Sequence, residues 1–268
     1  MALKLLLGLA AAYVLICAIA FLAQGRLLFP VGAAGGQGPL PPGTERIRIA
    51  AADGTPLVGL HLRPVEPDRS LPLILGFGGN AWNADMMAEY LRDLYPGAEI
   101  VAFHYRGYAP SGGAPGARAL LGDSLAVHDW VASRFPGRPI VAVGFSIGSG
   151  IAAHVAAHRP VAGAILVTPF DSLASVAAGQ APWLPVRLLW RHPIDSARDL
   201  RATRIPIAIL AGGGDSLIPA KRTDALRRAV PNLVLDRTLP GLGHNDIYRA
   251  SAFQQAMREA LRKVSARR

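Results

Sequence analysis

The chain has 268 residues, of which 51% are hydrophobic and 17% are charged. This fits one large domain or two small ones and excludes disorder over most of the length. The single cysteine, Cys17, excludes a disulfide framework and any metal site built from several cysteines. The net charge is +10, but the arginines are scattered, so we expect contact with anionic lipid and not with nucleic acid.

The first predicted element is a run without charge from Leu5 to Ala23. As a helix it would be about 28 Å long, close to the hydrocarbon thickness of a bilayer. A cleaved signal peptide is the alternative, because Ala18-Ile19-Ala20 resembles a cleavage site, but signal peptides usually have a shorter apolar region. We therefore expect a single-pass anchor over residues 1–26 in a bacterial inner membrane, with the rest of the chain outside the cytoplasm.

A linker and an α/β domain are predicted after the anchor. Glycines and prolines predict the linker over residues 27–43. In residues 44–268, short apolar runs alternate with amphipathic ones, which is typical of parallel strands joined by helices. The predicted strands cover residues 46–50, 57–63, 72–77, 99–104, 140–144, 162–167, 205–211 and 233–239. The predicted helices cover residues 83–94, 117–135, 149–159, 221–229 and 251–264. The pattern indicates a mostly parallel eight-stranded sheet flanked by helices.

Residues 170–200 interrupt the alternation with a long segment that contains no predicted strand. Such insertions often cover active sites, so this segment is a candidate lid. A pair of helices that only packs on the domain is an equal alternative. The tryptophans of the insertion, Trp183 and Trp190, are candidate contacts for an apolar substrate.

The fifth predicted strand leads into GFSIG, which runs from Gly144 through Ser146 to Gly148 and precedes a helix. This is the G-x-S-x-G pattern in the strand-turn-helix context of a nucleophile elbow. The serine of an elbow sits in a strained turn, and side chains two residues to either side would collide with the strand and the helix. The pattern therefore predicts Ser146 as a nucleophile.

A serine nucleophile needs a base, and the base needs a carboxylate to orient it. In this context the partners follow in the order Ser, Asp, His. Asp215 follows the seventh predicted strand and His244 follows the eighth, so both would project from strand carboxyl ends, where ligands bind. Asp171 and Asp246 are the alternative acids, and His192 is the alternative histidine.

Two histidines, His154 and His158, lie four residues apart on one predicted helix and could share a metal ion. The stretch HVAAH lacks the glutamate of HExxH, and the sequence offers no evident third ligand. We therefore interpret the pair as structural.

The third predicted strand is followed by the glycine-rich turn GGNAWN, from Gly78 to Asn83. Its backbone N–H groups would point into the site, where with the N–H of Ile147 they could hold the oxyanion of a tetrahedral intermediate. Asn80 is the candidate donor on this turn. The alternative is an ordinary loop in which Asn83 caps the next helix.

These motifs resemble the α/β-hydrolase superfamily and, within it, the membrane-anchored Bem46-like serine hydrolases. The resemblance covers nearly the whole chain and includes QGRLLFP, FGGNAWN, HYRGYAPSGGAP, GFSIGSG, TPFDS, GGGDSLIP and GLGHND. The family usually has FHGNAGN and DYRGYG, so Gly78 replaces a histidine, Trp82 a glycine and His104 an aspartate. The first two changes lie beside the expected oxyanion hole, and we expect Trp82 to narrow the acyl pocket.

The resemblance implies that Ser146 is the nucleophile, His244 the general base and acid, Asp215 the orienting carboxylate, and the backbone of Asn80 and Ile147 the oxyanion hole. It implies no metal and no organic cofactor. We expect a membrane-anchored serine hydrolase that cleaves carboxylic esters or thioesters of an apolar, lipid-like acyl substrate through an acyl-enzyme. A peptidase or amidase of the same fold is the first alternative, and a non-catalytic binding protein is the second.

Overall fold

The computed structural model describes residues 1–35, 40 and 42–266. The strands within these residues are Thr44–Ala50 (β1), Pro56–Leu62 (β2), Leu73–Phe77 (β3), Ile100–Phe103 (β4), Ile140–Phe145 (β5), Gly163–Val167 (β6), Ile207–Gly212 (β7) and Leu233–Leu239 (β8). The α-helices are Ala2–Leu28 (α1), Ala84–Leu94 (α2), Ala117–Arg134 (α3), Ile147–His158 (α4), Leu173–Gln180 (α5), Val186–Leu189 (α6), Ser196–Leu200 (α7), Ala220–Ala229 (α8) and Ser251–Ser265 (α9). Short 3-10 helices cover Val31–Ala34 and Asp246–Arg249.

The strands form one sheet in the order β1-β2-β4-β3-β5-β6-β7-β8. β1 pairs antiparallel with β2, and β2 pairs antiparallel with β4. The remaining neighbours pair in parallel. The predicted mostly parallel sheet of eight strands is confirmed, and its parallel strands end at a common edge.

Helices cover both faces of the sheet, which explains why the central strands are apolar along their whole length. On one face, α2 and α9 bury Met87, Leu91 and Phe253 in a core that includes the β5 residues Val141 and Val143. The opposite core contains side chains of α3, α4 and α8, among them Val131, Ile151 and Leu226. Both cores hold the carboxyl ends of the parallel strands in place.

The insertion from 170 to 200 contains three short helices, α5, α6 and α7. An isolated antiparallel bridge between Ser172 and Asp195 closes it at its base. Asp195 also caps α7 by accepting a hydrogen bond from the N–H of Arg198 at 2.9 Å. The insertion is therefore fixed at both ends, and residues 181–191 form its outer part.

The apolar helix at the N-terminus is longer than predicted, because α1 continues to Leu28. It is long and apolar enough to cross a membrane, and its apolar window is not buried by the rest of the described chain. The predicted linker at 27–43 is not free along its whole length, since Phe29 and Ala34 are buried in a core. Residues 36–39 and 41 of that linker lie outside the described residues.

Candidate active site

The turn after β5 holds Ser146 at φ 52° and ψ −119°, a backbone conformation that non-glycine residues rarely adopt. A side chain at Gly144 would collide with the carbonyl of Gly148, and one at Gly148 would collide with the carbonyl oxygens of Phe77 and Gly78. Both glycines are therefore required by close backbone contacts. The strained turn lifts Ser146 to the carboxyl edge of the sheet.

The side chain of Ser146 lies at one end of a hydrogen-bonded series. Its Oγ is 2.9 Å from Nε2 of His244, and Nδ1 of His244 is 2.7 Å from Oδ2 of Asp215. The second oxygen of Asp215 accepts the backbone N–H groups of Leu217 at 3.0 Å and Ile218 at 2.7 Å. Two backbone donors thus hold Oδ1 of the carboxylate in place, and Oδ2 orients the imidazole. The arrangement has the geometry of a nucleophile, a base and an orienting acid.

The alternative residues occupy other positions. Oδ2 of Asp171 accepts a hydrogen bond from Nη1 of Arg222 at 3.1 Å, and Asp246 is exposed to solvent. His192 packs against Phe29 with ring centroids 5.5 Å apart, and burial lowers the pKa of its imidazole. Among the described residues, the carboxylates of Asp171 and Asp246 make no contact with His244. Asp215 is the carboxylate that contacts it.

The loop that carries Asn80 and the first residue of α4, Ile147, both lie next to Ser146. Gly79, next to Asn80, lies against Ser146, since a Cβ on Gly79 would be 3.8 Å from the Ser146 Cβ. Ile147 is the first residue of α4, where a backbone N–H has no partner within the helix. The loop is anchored by Tyr108, whose hydroxyl donates to the Asn80 carbonyl at 2.6 Å. The side chain of Asn83 accepts the N–H of Asp85 at 2.8 Å and so caps α2, as the alternative interpretation expected.

A cavity of about 620 Å³ opens beside Ser146 and His244. Its walls are mostly apolar and come from the loop after β3, the insertion and the loop after β8. The lining residues include Leu28, Trp82, Leu173, Val176, Leu217 and Tyr248. Trp82 packs among Tyr90, Phe145 and Tyr248, with ring centroids 5.0 to 5.4 Å away. A cavity of this size and polarity is suited to an acyl chain.

The expectation for the other two tryptophans needs correction, because neither Trp183 nor Trp190 is among the residues that line this cavity. Trp183 is exposed on the outside of the insertion. Trp190 packs against one core, and its indole N–H donates to the carbonyl of His192 at 2.6 Å. An insertion rich in aromatic residues does not by itself indicate which side chains turn inward.

Leu28 and Tyr248 are among the cavity residues that the sequence analysis did not name. Leu28 reaches the cavity because α1 extends five residues past the apolar run that ends at Ala23. Tyr248 follows His244 by four residues, on the short 3-10 helix after β8, and this closeness in sequence to His244 was the available signal. Burial raises the pKa of Tyr248 to about 12.

The structure adds a third residue, Asp199, to His154 and His158, with potential ligand atoms within 4.8 Å of one another. Nδ1 of His154 lies 2.8 Å from Oδ2 of Asp199, and Nδ1 of His158 lies 2.8 Å from the His154 carbonyl oxygen. These hydrogen bonds account for the positions of both rings without an ion. None of the three residues lines the cavity at Ser146.

Comparison with known proteins gives matches over most of the chain. The alpha/beta hydrolase fold family matches residues 72–194. An uncharacterized protein of Mycobacterium tuberculosis is 33% identical over 232 residues, which cover 83% of this chain and 81% of the relative. A lysophosphatidylserine lipase, ABHD12, of Rattus norvegicus is 25% identical over 227 residues, covering 72% of this chain and 56% of the relative.

Solved structures agree with the fold. An esterase of Pyrococcus furiosus superimposes with a TM-score of 0.69 at 16% identity, covering 86% of this chain and 96% of the esterase. A membrane phospholipase A described as a bacterial virulence factor has a TM-score of 0.62 at 17% identity, with 99% and 98% of the two chains covered. The sheet order, the elbow and the 33% identical relative lead to one conclusion: the chain belongs to the alpha/beta hydrolase family.

Proposed function

We propose that the protein is a membrane-anchored serine hydrolase that cleaves carboxylic esters or thioesters of an apolar acyl group. The observation that carries this proposal is the hydrogen-bonded series from Asp215 through His244 to Ser146, at the wall of an apolar cavity. The lipase and esterase relatives support an acyl ester as the substrate.

In the proposed reaction, Oγ of Ser146 attacks the acyl carbonyl while Nε2 of His244 takes the hydroxyl proton. Asp215 accepts the hydrogen bond from Nδ1–H of His244 and stabilises the imidazolium. The N–H groups of Asn80 and Ile147 donate to the oxyanion. His244 then gives its proton to the leaving alcohol or thiol, and a water molecule activated by His244 releases the acid from Ser146.

The membrane part of the proposal rests on α1, whose apolar window is not covered by the rest of the described chain. A helix of this length and composition is suited to one crossing of a bilayer. We propose a bacterial inner membrane, with residues 44–268 outside the cytoplasm. Alkaline phosphatase fused to the C-terminus should then be active, and an inactive fusion would reverse the orientation.

Hydrolysis of the nitrophenyl esters of acetate, butyrate, octanoate and dodecanoate tests the proposed activity. We expect turnover that Ser146→Ala lowers by at least about 10³-fold. Turnover that persists in Ser146→Ala would contradict the proposed nucleophile. If amides are cleaved and esters are not, the chain is an amidase or peptidase. If neither is cleaved, the result favours a non-catalytic binding protein.

A further inference from the structure

The outer part of the insertion exposes apolar and basic side chains. We call residues 181–191 the insertion tip; it includes α6 and no acidic residue. Trp183 is 58% exposed and Leu188 is 86% exposed, while Arg187 and Arg191 are also exposed. Apolar side chains that are this exposed and flanked by arginines are typical of a surface that meets lipid.

Among the described residues beyond 31, three of the five exposed large hydrophobic side chains lie on the insertion tip or beside the insertion. Beyond residue 31, the large hydrophobic side chains exposed in the described part of the chain are Val65, Met86, Trp183, Leu188 and Leu217. Two of them lie on the insertion tip. Leu217 lies beside the insertion, because Gln180 at the end of α5 donates from Nε2 to the Leu217 carbonyl at 3.2 Å, and it also lines the cavity.

Helix α1 docks on the insertion tip through specific hydrogen bonds. The hydroxyl of Tyr13 donates to the carbonyl of Trp183 at 2.8 Å. Gln24 is buried, and its amide donates to the Leu189 carbonyl and accepts the N–H of Arg191, both at 3.0 Å. Because the glutamine both donates to and accepts from the backbone of the tip, it fixes the position of the helix relative to the tip. The helix is therefore attached to the tip and is not only a tether.

The depth of this contact follows from helix geometry. At about 1.5 Å per residue, Tyr13 and Gln24 are roughly 16 Å apart along the helix axis. Tyr13 lies near the middle of the charge-free run from Leu5 to Ala23. If that run spans the bilayer, the tip lies beside its C-terminal half, from Tyr13 to Ala23. This half then crosses the leaflet next to the domain. A backbone carbonyl at this depth requires a donor, and the Tyr13 hydroxyl supplies one to Trp183.

The same end of α1 borders the cavity. Leu28, its last residue, lines the cavity together with Ser146 and His244, and so do Leu173 and Val176 of α5. The helix that carries the apolar run and the helix that leads into the insertion tip therefore both border the cavity.

We propose that the insertion tip lies in the lipid around α1, within the leaflet next to the domain, so that the cavity opens toward lipid. The occupant is a bilayer that contains anionic lipid, because the tip carries Arg187 and Arg191 without an acidic residue. Resting on the proposed function, the substrate is a membrane lipid whose acyl chain enters beside Leu28 without crossing water.

Tryptophan fluorescence of the full chain in phosphatidylglycerol–phosphatidylcholine vesicles tests the location of the tip. Lipids brominated on the acyl chains quench tryptophans that contact the chains, and the difference between wild type and Trp183→Phe isolates Trp183. We expect Trp183 to be quenched by these lipids. An unquenched Trp183 in the vesicle-bound chain would overturn the proposal.

A pair of matched variants tests the consequence for catalysis. Leu188→Asp places a charge on the tip, whereas Val65→Asp places one at an equally exposed position that follows β2, at the opposite edge of the sheet. We expect Leu188→Asp to lower hydrolysis of vesicle phospholipid at least tenfold and to leave nitrophenyl butyrate turnover unchanged, and Val65→Asp to change neither. Equal effects of the two variants on vesicle lipid would overturn the proposal.

These experiments distinguish failure of the proposed hydrolase function from failure of the proposed lipid contact. If no ester is hydrolysed but Trp183 is quenched and Leu188→Asp abolishes that quenching, the hydrolase proposal fails while the tip still binds lipid. If nitrophenyl esters are hydrolysed but Trp183 is not quenched, the hydrolase proposal stands and the tip proposal fails.

Discussion

Arg222 donates from Nη1 to Oδ2 of Asp171 at 3.1 Å, and this ion pair distinguishes Asp171 from Asp215, two of the candidates for the catalytic acid. Asp171 has a cation for its partner, while Asp215 contacts His244. Because both residues follow strands on the same edge of the sheet, chain order alone did not distinguish them.

The acid can be assigned by two matched substitutions. Asp215→Asn should lower kcat for a nitrophenyl ester by about 10³- to 10⁴-fold, because an amide no longer holds the imidazole in the required tautomer. Asp171→Asn should lower it no more than a few-fold. The measurement is kcat for each variant, with the melting temperature as a control for folding; the opposite ranking would make Asp171 the acid.

Two glycine substitutions should have opposite effects on the free energy of unfolding. Gly148→Ala should lower it by about 2 kcal/mol or more, because the new Cβ collides with the carbonyls of Phe77 and Gly78. Gly122 is exposed within α3 and has open space at its Cβ position, so Gly122→Ala should raise it by about 0.5 to 1 kcal/mol. Urea unfolding of both variants checks this, and a stable Gly148→Ala would contradict the close contact.

Asp85 should make stability depend on pH. Burial raises the pKa of its carboxyl, but hydrogen bonds from His104 at 3.0 Å and Arg46 at 2.8 Å outweigh burial, and the pKa is lowered below the ordinary 3.8. A lowered folded-state pKa adds stability above the ordinary value, and this stability is lost as the pH falls through the folded-state value.

We therefore expect Asp85→Asn to lower the free energy of unfolding by about 2 to 3 kcal/mol at neutral pH. The difference between wild type and variant should shrink as the pH falls below 3.8. Denaturant unfolding at several pH values gives this difference directly. A difference that does not change with pH would show that the charge of Asp85 is not responsible.

Trp82 should set the acyl length that the cavity accepts. Replacing it with alanine removes a large ring from the cavity wall, so Trp82→Ala should raise kcat/KM for the dodecanoate ester relative to the butyrate ester by about tenfold. Trp130 packs on Phe103 and does not line the cavity, so Trp130→Phe is the control. An unchanged ratio in Trp82→Ala would mean that the acyl chain lies elsewhere.

Much of the fold was predictable because its signals are local. All eight strands and the five longer helices of the domain were predicted within a few residues of their observed ends. The elbow around Ser146 was predictable because its G-x-S-x-G pattern lies within one strand-turn-helix unit, although the contact that requires Gly148 comes from Phe77 and Gly78 on the neighbouring strand β3 and its loop. Asp215 and His244 were predictable because each follows a predicted strand, β7 and β8, in the order Ser, Asp, His.

The remaining features depend on contacts between distant parts of the chain. The sequence of α1 did not predict that Tyr13 and Gln24 contact the insertion. Their partners, Trp183 and Leu189, are more than 160 residues away along the chain. The positions of Trp183 and Trp190 depended on how the insertion folds back. The pairing of His104 with Asp85 also required the folded sheet, although both residues lie in recognised motifs or beside them.

Covalent labelling of the full chain with a fluorophosphonate, followed by mass spectrometry of its peptides, tests the central claim most directly. The reagent reacts with a serine only where a base activates the hydroxyl and an oxyanion site holds the product. We predict one adduct on Ser146, absent from Ser146→Ala and formed far more slowly in His244→Ala. A folded wild-type chain that takes up no label, or equal labelling of wild type and Ser146→Ala, would contradict the account.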